Sequence, residues 1–383
     1  MDETLQDTQY RRLFDAAIAD AVQQALRIIR ADPSLLFAGT SLLWHQNQAA
    51  ATRAEYEKEG LFVPPVMIVS ITSRCNLACA GCYMKQRRAQ PAPEMSKDVL
   101  VSVVTQAAGL GVSVIVIAGG EPLVRKQEIV EIAGAFPQVL FPVFSNGLLI
   151  DDETASALSG LKNIIPVISF EGFRSETDLR RGSGVYDRLL ATCSLLKARG
   201  IFFGCSITIT RENSARVLDE PFIRSMLEAG ARAFVFVEYV PIEPGTEALV
   251  LTPDQRKQLC SSLAAFTKTF PALFIGFPGD EEEYDGCLAA GRGFVHVSPS
   301  GDLEPCPAAP FSDANLAKVP LHEALRSDFL QQICKNHDQL TETNGGCALW
   351  TNREWVQALL TKEQGAAGSR QVIVYRNSSG TPK

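Results

Sequence analysis

The chain has 383 residues, with 36 Lys plus Arg against 43 Asp plus Glu and a formal net charge of −7 at pH 7. That balance excludes a basic nucleic-acid binder as the default, so no nucleic-acid partner is expected. A composition of 46% hydrophobic and 21% charged residues excludes a disordered chain and supplies enough apolar surface for a large core.

No apolar run reaches the roughly 18 residues of a membrane span, so no membrane partner is expected. The start, Met1-Asp2-Glu3-Thr4, is acidic and lacks the basic and apolar parts of a signal peptide, which points to a cytoplasmic protein. Disulfides are disfavoured there, so the ten cysteines must be buried small hydrophobes or metal ligands.

Residues 1–62 read as a helical extension, with Leu13, Ala17, Val22, Leu26 and Ile29 forming an approximate stripe and Pro33 a stop. From Pro65 the pattern changes to short β-branched runs alternating with helical stretches, the signature of βαβ units. Strands are predicted over 66–72, 112–118, 139–144, 164–170, 202–209 and 234–240. Helices are predicted over 97–108, 126–135, 152–158, 186–198, 222–229 and 253–266, the last with Thr252 as N-cap and Pro253 in its first turn. Six strands, each followed by a helix, imply an α/β fold, an open or closed barrel over 63–275 with its chemistry at the C-terminal strand ends. Over 276–365 the alternation stops, Gly, Pro, Asp and Cys become frequent, and helical character returns at 321–333 and 355–360. Residues 366–383 read as a polar tail.

Cys75, Cys79 and Cys82 stand in CNLACAGCY, directly after the first strand. Three thiolates can hold three irons of a cubane and leave the fourth open to a small ligand, unlike the four-thiolate sites of electron carriers. The second strand ends in Gly119-Gly120-Glu121-Pro122, where paired glycines permit close backbone approach and Glu121 can accept hydrogen bonds from an amino group.

The two motifs, one βα unit apart, make about residues 65 to 245 resemble the radical S-adenosylmethionine (radical SAM) enzymes. The resemblance implies a partial (β/α)6 barrel, to which the helical stretch of residues 1–62 is an N-terminal extension. It also implies a catalytic [4Fe-4S] cluster on Cys75, Cys79 and Cys82 that cleaves S-adenosylmethionine (SAM) to a 5′-deoxyadenosyl radical. Gly119, Gly120 and Glu121 match the family's methionine-binding turn. Ser145 and Asn146 (third strand), Ser169 and Glu171 (fourth) and Thr208 (fifth) match positions that touch methionine or ribose, although a turn at Ser145-Asn146-Gly147 and an ordinary strand residue at Thr208 are equally consistent with the residues. One departure stands out: the family commonly has an aromatic before the third cysteine to contact adenine, and this chain has Gly81, with Tyr83 as the candidate substitute.

Further on, thirteen residues separate Cys287 from Gly301 and four separate Gly301 from Cys306, with a hairpin turn at Gly301-Asp302. This spacing resembles the SPASM and shorter twitch auxiliary-cluster domains, which implies a small C-terminal domain with a second [4Fe-4S] cluster. Cys347, on the Gly345-Gly346 loop, is a further expected ligand, and Cys334 is either a ligand or a packed thiol. Cys193, Cys205 and Cys260 are expected in the core. No two of the four histidines are close in sequence, and His296 is expected on the surface of its strand. Arg180-Arg181, in the loop after the fourth strand, and Glu238-Tyr239, ending the sixth, are expected to face the barrel mouth, either as solvated charges or in contact with substrate. Asp280 to Tyr284 reads as a solvated turn.

The expected function is radical chemistry on an unknown substrate, with peptide or protein modification favoured over small-molecule oxidation or tetrapyrrole modification. The electron donor would be a protein such as flavodoxin or ferredoxin. The rival classes are a non-catalytic iron–sulfur electron carrier, which needs four thiolates per cluster, and a structural zinc protein, which leaves Gly119 to Pro122 without a role.

Overall fold

The computed structural model describes residues 36–89, 92–277, 286–340 and 347–364, with five single positions between 24 and 31. The predicted stripe from Leu13 to Ile29, the acidic run from Asp280 to Tyr284 and the polar tail lie outside these residues, apart from single positions.

The six predicted strands form: β1 (Val66–Thr72), β2 (Val114–Gly119), β3 (Phe141–Ser145), β4 (Ile164–Phe170), β5 (Gly204–Ile209) and β6 (Ala233–Glu238). They pair in parallel and in chain order, so all six C-terminal ends meet at one mouth. Three further strands extend the sheet to nine. β7 (Leu273–Phe277) adds to β6 in parallel, with the Phe234 and Phe274 rings stacked at 5.0 Å. β8 (Phe294–Val297) runs parallel to the other edge of β1, and β9 (Leu303–Glu304) turns back antiparallel to it. The predicted hairpin therefore belongs to the barrel sheet.

Around the sheet lie α1 (Leu36–Lys58), α2 (Met84–Ala89), α3 (Lys97–Leu110), α4 (Lys126–Ala135), α5 (Asp152–Ser159), α6 (Arg174–Arg181), α7 (Val185–Ala198), α8 (Ser214–Val217), α9 (Glu220–Ala229) and α10 (Pro253–Thr269). Four more follow the hairpin: α11 (Leu321–Ala324), α12 (Asp328–Lys335), α13 (Ala348–Thr351) and α14 (Arg353–Gln364). Local chemistry sets their ends. Ser96 caps α3, and Thr252 and Gln255 form a capping box on α10 with Pro253 behind it. At the far end of α3, Gly111 adopts φ 92°, and α1 packs so closely there that a Cβ would stand 2.6 Å from the Ala49 carbonyl oxygen.

Three expectations change. Arg180 and Arg181 lie in the last turn of α6, not in a loop, and both guanidinium groups reach the carboxylate of Glu171. Cys260 is exposed on the outer face of α10, whereas Cys193 and Cys205 are fully buried as expected. His296 is fully buried, its face of β8 occupied by Ser70 of β1 and Glu304 of β9, with Arg87 of α2 on Glu304.

The imidazole is held at both nitrogens, with Nε2 2.9 Å from the Ser70 hydroxyl of β1 and Nδ1 2.7 Å from the Glu304 carboxylate of β9. Glu304 also accepts from Arg87 of α2 at 2.5 Å, and all four side chains are buried. Burial depresses the His296 pKa despite the neighbouring Glu304, so the ring is neutral, donating to Glu304 from Nδ1 and accepting at Nε2. His296→Leu would leave Ser70 and Glu304 short of a partner, and should lower unfolding stability by about 2–4 kcal/mol in chemical denaturation. Because the folded imidazole protonates less readily than the unfolded one, its contribution is present above about pH 6.5 and falls as pH drops below that. His296→Gln should therefore flatten the stability profile in this range.

Candidate active site

The cysteine loop leaves β1 at Thr72 and is fixed at its root by Glu94, whose Oε1 accepts from the Thr72 hydroxyl at 2.8 Å, Ser73 N at 2.8 Å and the Ser73 hydroxyl at 3.0 Å. Burial alone would raise the Glu94 carboxyl, but these three donors together lower it, so it stays ionised. The far side is pinned by Arg180: Ala80 N donates to its carbonyl at 3.0 Å, and its Nε donates to the Ala80 carbonyl at 3.0 Å.

Cys75, Cys79 and Cys82 are all free and half-buried. Donors approach two of the sulfurs: Leu77 N and Asn146 Nδ2 lie 3.4 and 3.8 Å from Cys75 Sγ, and Arg88 Nη2 lies 3.7 Å from Cys82 Sγ. Burial raises the Cys75 thiol pKa, and the Leu77 N–H opposes it.

Gly119 and Gly120 have a steric explanation. A Cβ on Gly119, which sits at φ 127°, would stand 2.4 Å from the Thr72 carbonyl oxygen, and one on Gly120 would stand 2.2 Å from that of Arg74. The root of the cysteine loop lies directly on this turn, held by Gly120 N to Thr72 O and Glu121 N to Arg74 O, both 2.8 Å. Glu121 is fully buried and clasps the next strand end: Oε1 accepts from Leu123 N and the Ser145 hydroxyl, and Oε2 from Asn146 N at 2.7 Å. Burial raises its pKa, against these donors. Asn146 also donates to Asn76 Oδ1 at 2.7 Å, which closes the ring of contacts back onto the cysteine loop.

At the end of β4, buried Glu171 accepts at Oε1 from Arg180 Nη1 and Arg181 Nη2, each at 2.6 Å, while its Oε2 is buried with no hydrogen-bond partner among the described residues. Ser169 and Thr208 are half-buried on β4 and β5, and Asn213 Nδ2 ties the Thr208 and Glu171 carbonyls together at 2.9 Å each. Glu238 is buried and spoken for by Arg256 of α10. Tyr239 is buried beside Gly81, and Tyr83 lies near Ser70, Cys82 and Cys306.

The second cysteine group assembles at the hairpin. Cys287, Cys306 and Cys347 are all buried, the Cys306 and Cys347 thiols are hydrogen-bonded, and Cys287 is near enough to act electrostatically on Cys306. That hydrogen bond, followed by burial, raises the Cys306 thiol well above its ordinary value. Gly286, at φ 108°, lets the chain before Cys287 press on the His337 carbonyl just past α12. Cys334, on α12, donates to the Ala290 carbonyl at 2.9 Å.

The sequence model of the radical SAM superfamily matches residues 69–217. The mycofactocin maturase MftC of Mycobacterium tuberculosis is 30% identical over 270 residues, 67% of each chain. This chain belongs to the radical SAM superfamily. The PqqA peptide cyclase of Gluconobacter oxydans is 27% identical over 310 residues, 74% of this chain and 86% of its own. An AdoMet-dependent heme synthase of Methanosarcina barkeri is 24% identical over 314 residues, 74% and 88% of the two chains. Streptococcus suis SuiB, solved bound to S-adenosylmethionine, shares the fold with a TM-score of 0.59 at 19% identity, covering 73% of this chain and 70% of SuiB.

Radical SAM enzymes use a [4Fe-4S] cluster and SAM, and the residues here fit both. Unbridged thiols flanked by N–H and guanidinium donors suit an anionic iron–sulfur cluster. Among the described residues, no three His, Cys, Asp or Glu side chains converge tightly enough to enclose a single metal ion. The partnerless polar atoms of Glu171 and Tyr239 at the mouth suit a polar organic ligand. Sequence reasoning missed Glu94, Arg88 and the pinning role of Arg180; only spatial contact identifies them, although Arg88 follows Cys82 within one short helix.

Gly120→Ala should push the loop root off β2 and lower iron bound after anaerobic reconstitution severalfold, with circular dichroism unchanged. Full iron binding would show that the loop does not depend on this contact.

Proposed function

We propose that this protein is a radical SAM enzyme that modifies a peptide. Cys75, Cys79 and Cys82 hold the catalytic [4Fe-4S] cluster, and Cys287, Cys306 and Cys347 hold a second one in an auxiliary-cluster region over 276–365. Cys334 is the candidate fourth ligand of that second site. The observation that carries the reading is the meeting, at one barrel mouth, of a three-thiol loop and two buried carboxylates, Glu121 after β2 and Glu171 after β4.

A reduced cluster bound there would supply the electron that cleaves SAM to methionine and a 5′-deoxyadenosyl radical. The chain's own residues bind and orient. The Gly119–Gly120 turn and Glu121 receive the methionine amino group, with Ser145 and Asn146 keeping the carboxylate in place. Ser169, Glu171 and Thr208 face the ribose, where the free Oε2 of Glu171 can accept from a sugar hydroxyl. Arg180 and Arg181 balance the Glu171 charge, which would otherwise be costly to bury. Electrons come from a donor such as flavodoxin or ferredoxin.

One of the relatives, the PqqA peptide cyclase, supports a peptide substrate. The heme synthase supports a second reading, tetrapyrrole side-chain modification.

With dithionite and SAM but no substrate, the wild type should form 5′-deoxyadenosine, Cys79→Ala should lose at least a hundredfold, and Cys306→Ala should keep most of the rate. A peptide substrate should accelerate the wild type and not Cys306→Ala. Undiminished cleavage by Cys79→Ala would overturn the catalytic assignment.

A further inference from the structure

The loop departs from its family at Gly81, and the structure shows what occupies that place. Gly81 has φ 64°, a conformation that L side chains rarely adopt. A Cβ built there would stand 2.6 Å from the hydroxyl oxygen of Tyr239 and 2.9 Å from its Cε2, so the phenol ring already lies where a side chain at 81 would begin. Tyr239 directly follows β6, and its N–H donates to the Ile209 carbonyl at 3.0 Å, which joins it to the end of β5. Its side chain is buried at 3% exposure, yet the hydroxyl has no hydrogen-bond partner among the described residues. A buried hydroxyl is seldom left so in a native protein unless a ligand or water completes it.

Tyr83, the other aromatic near this gap, is engaged elsewhere. It lies near Ser70 on β1, and burial, with Cys82 and Cys306 nearby, pushes its pKa up to about 12.

We propose that Tyr239 holds the adenine of SAM in place of the aromatic side chain that the loop lacks at Gly81. This rests on the cysteine loop being the SAM site. The strand order supports the assignment. With the methionine end at β2 and β3 and the ribose at β4 and β5, the base of an elongated ligand falls at β6, where Tyr239 stands over the loop. The phenol suits a purine: its face offers apolar contact, and its hydroxyl can donate to a ring nitrogen or accept from the exocyclic amine.

The test is calorimetric binding of three probes, SAM, 5′-deoxyadenosine and methionine, to anaerobically reconstituted wild type and Tyr239→Phe. Loss of one hydrogen bond should weaken SAM and 5′-deoxyadenosine about fivefold to tenfold and leave methionine unchanged. Tyr239→Leu, which removes the ring as well, should weaken the two nucleosides further. Equal affinities in wild type and Tyr239→Phe would overturn the proposal. So would an equal loss for methionine, or a loss of bound iron in Tyr239→Phe, either of which would assign the ring to loop packing. Failure of the wild type to bind SAM at all would instead overturn the reading of the loop itself.

Discussion

The site is built on a backbone contact. The chain leaving β1 at Thr72 to Arg74 lies so close on Gly119 and Gly120 that neither glycine can carry a side chain. Two hydrogen bonds of 2.8 Å fix the contact, and they set the position of the cysteine loop relative to β2. Glu121 extends the constraint to β3 through Ser145 and Asn146, and Asn146 returns it to the loop at Asn76. The paired glycines therefore serve the protein's own loop.

A second constraint couples the barrel to the hairpin. Ser70, His296, Glu304 and Arg87 form a buried chain of hydrogen bonds from β1 through β8 and β9 to α2, the helix that follows Cys82. Glu304 stands two residues before Cys306, and Arg87 lies five residues after Cys82. The two cysteine groups are thus tied to one rigid set of buried polar contacts. A charged pair such as Arg87 with Glu304 is costly to bury alone, and the imidazole and hydroxyl complete the satisfaction that makes it tolerable.

Much of this was legible in the sequence. Parallel strands buried on both faces read as β-branched runs, and β1 and β4 fall where expected because Val and Ile dominate both, the single Ser in each and Pro166 in β4 notwithstanding. β7 escaped because five residues with a glycine among them carry little periodic signal; its pairing with β6 and the Phe234–Phe274 stack define it. The three-cysteine loop and the glycine turn were visible because their chemistry depends on local spacing. Glu94, Arg180 and the environment of His296 were not, since each acts on residues far away in the chain. His296 in particular looks like an alternating strand residue until Ser70 of β1 and Glu304 of β9 are seen to occupy its face. Tyr239 was visible as a residue at the mouth, but its relation to Gly81 exists only in three dimensions.

The proposed function puts two iron–sulfur clusters on one chain, one on Cys75, Cys79 and Cys82 and one on Cys287, Cys306 and Cys347. The most direct measurement is iron and acid-labile sulfide per chain after strictly anaerobic purification and reconstitution. About eight irons with matching sulfide are predicted for the wild type, and about four for a variant lacking Cys287, Cys306 and Cys347. About four irons in the wild type would contradict the second cluster, and zinc in place of iron would contradict the account as a whole.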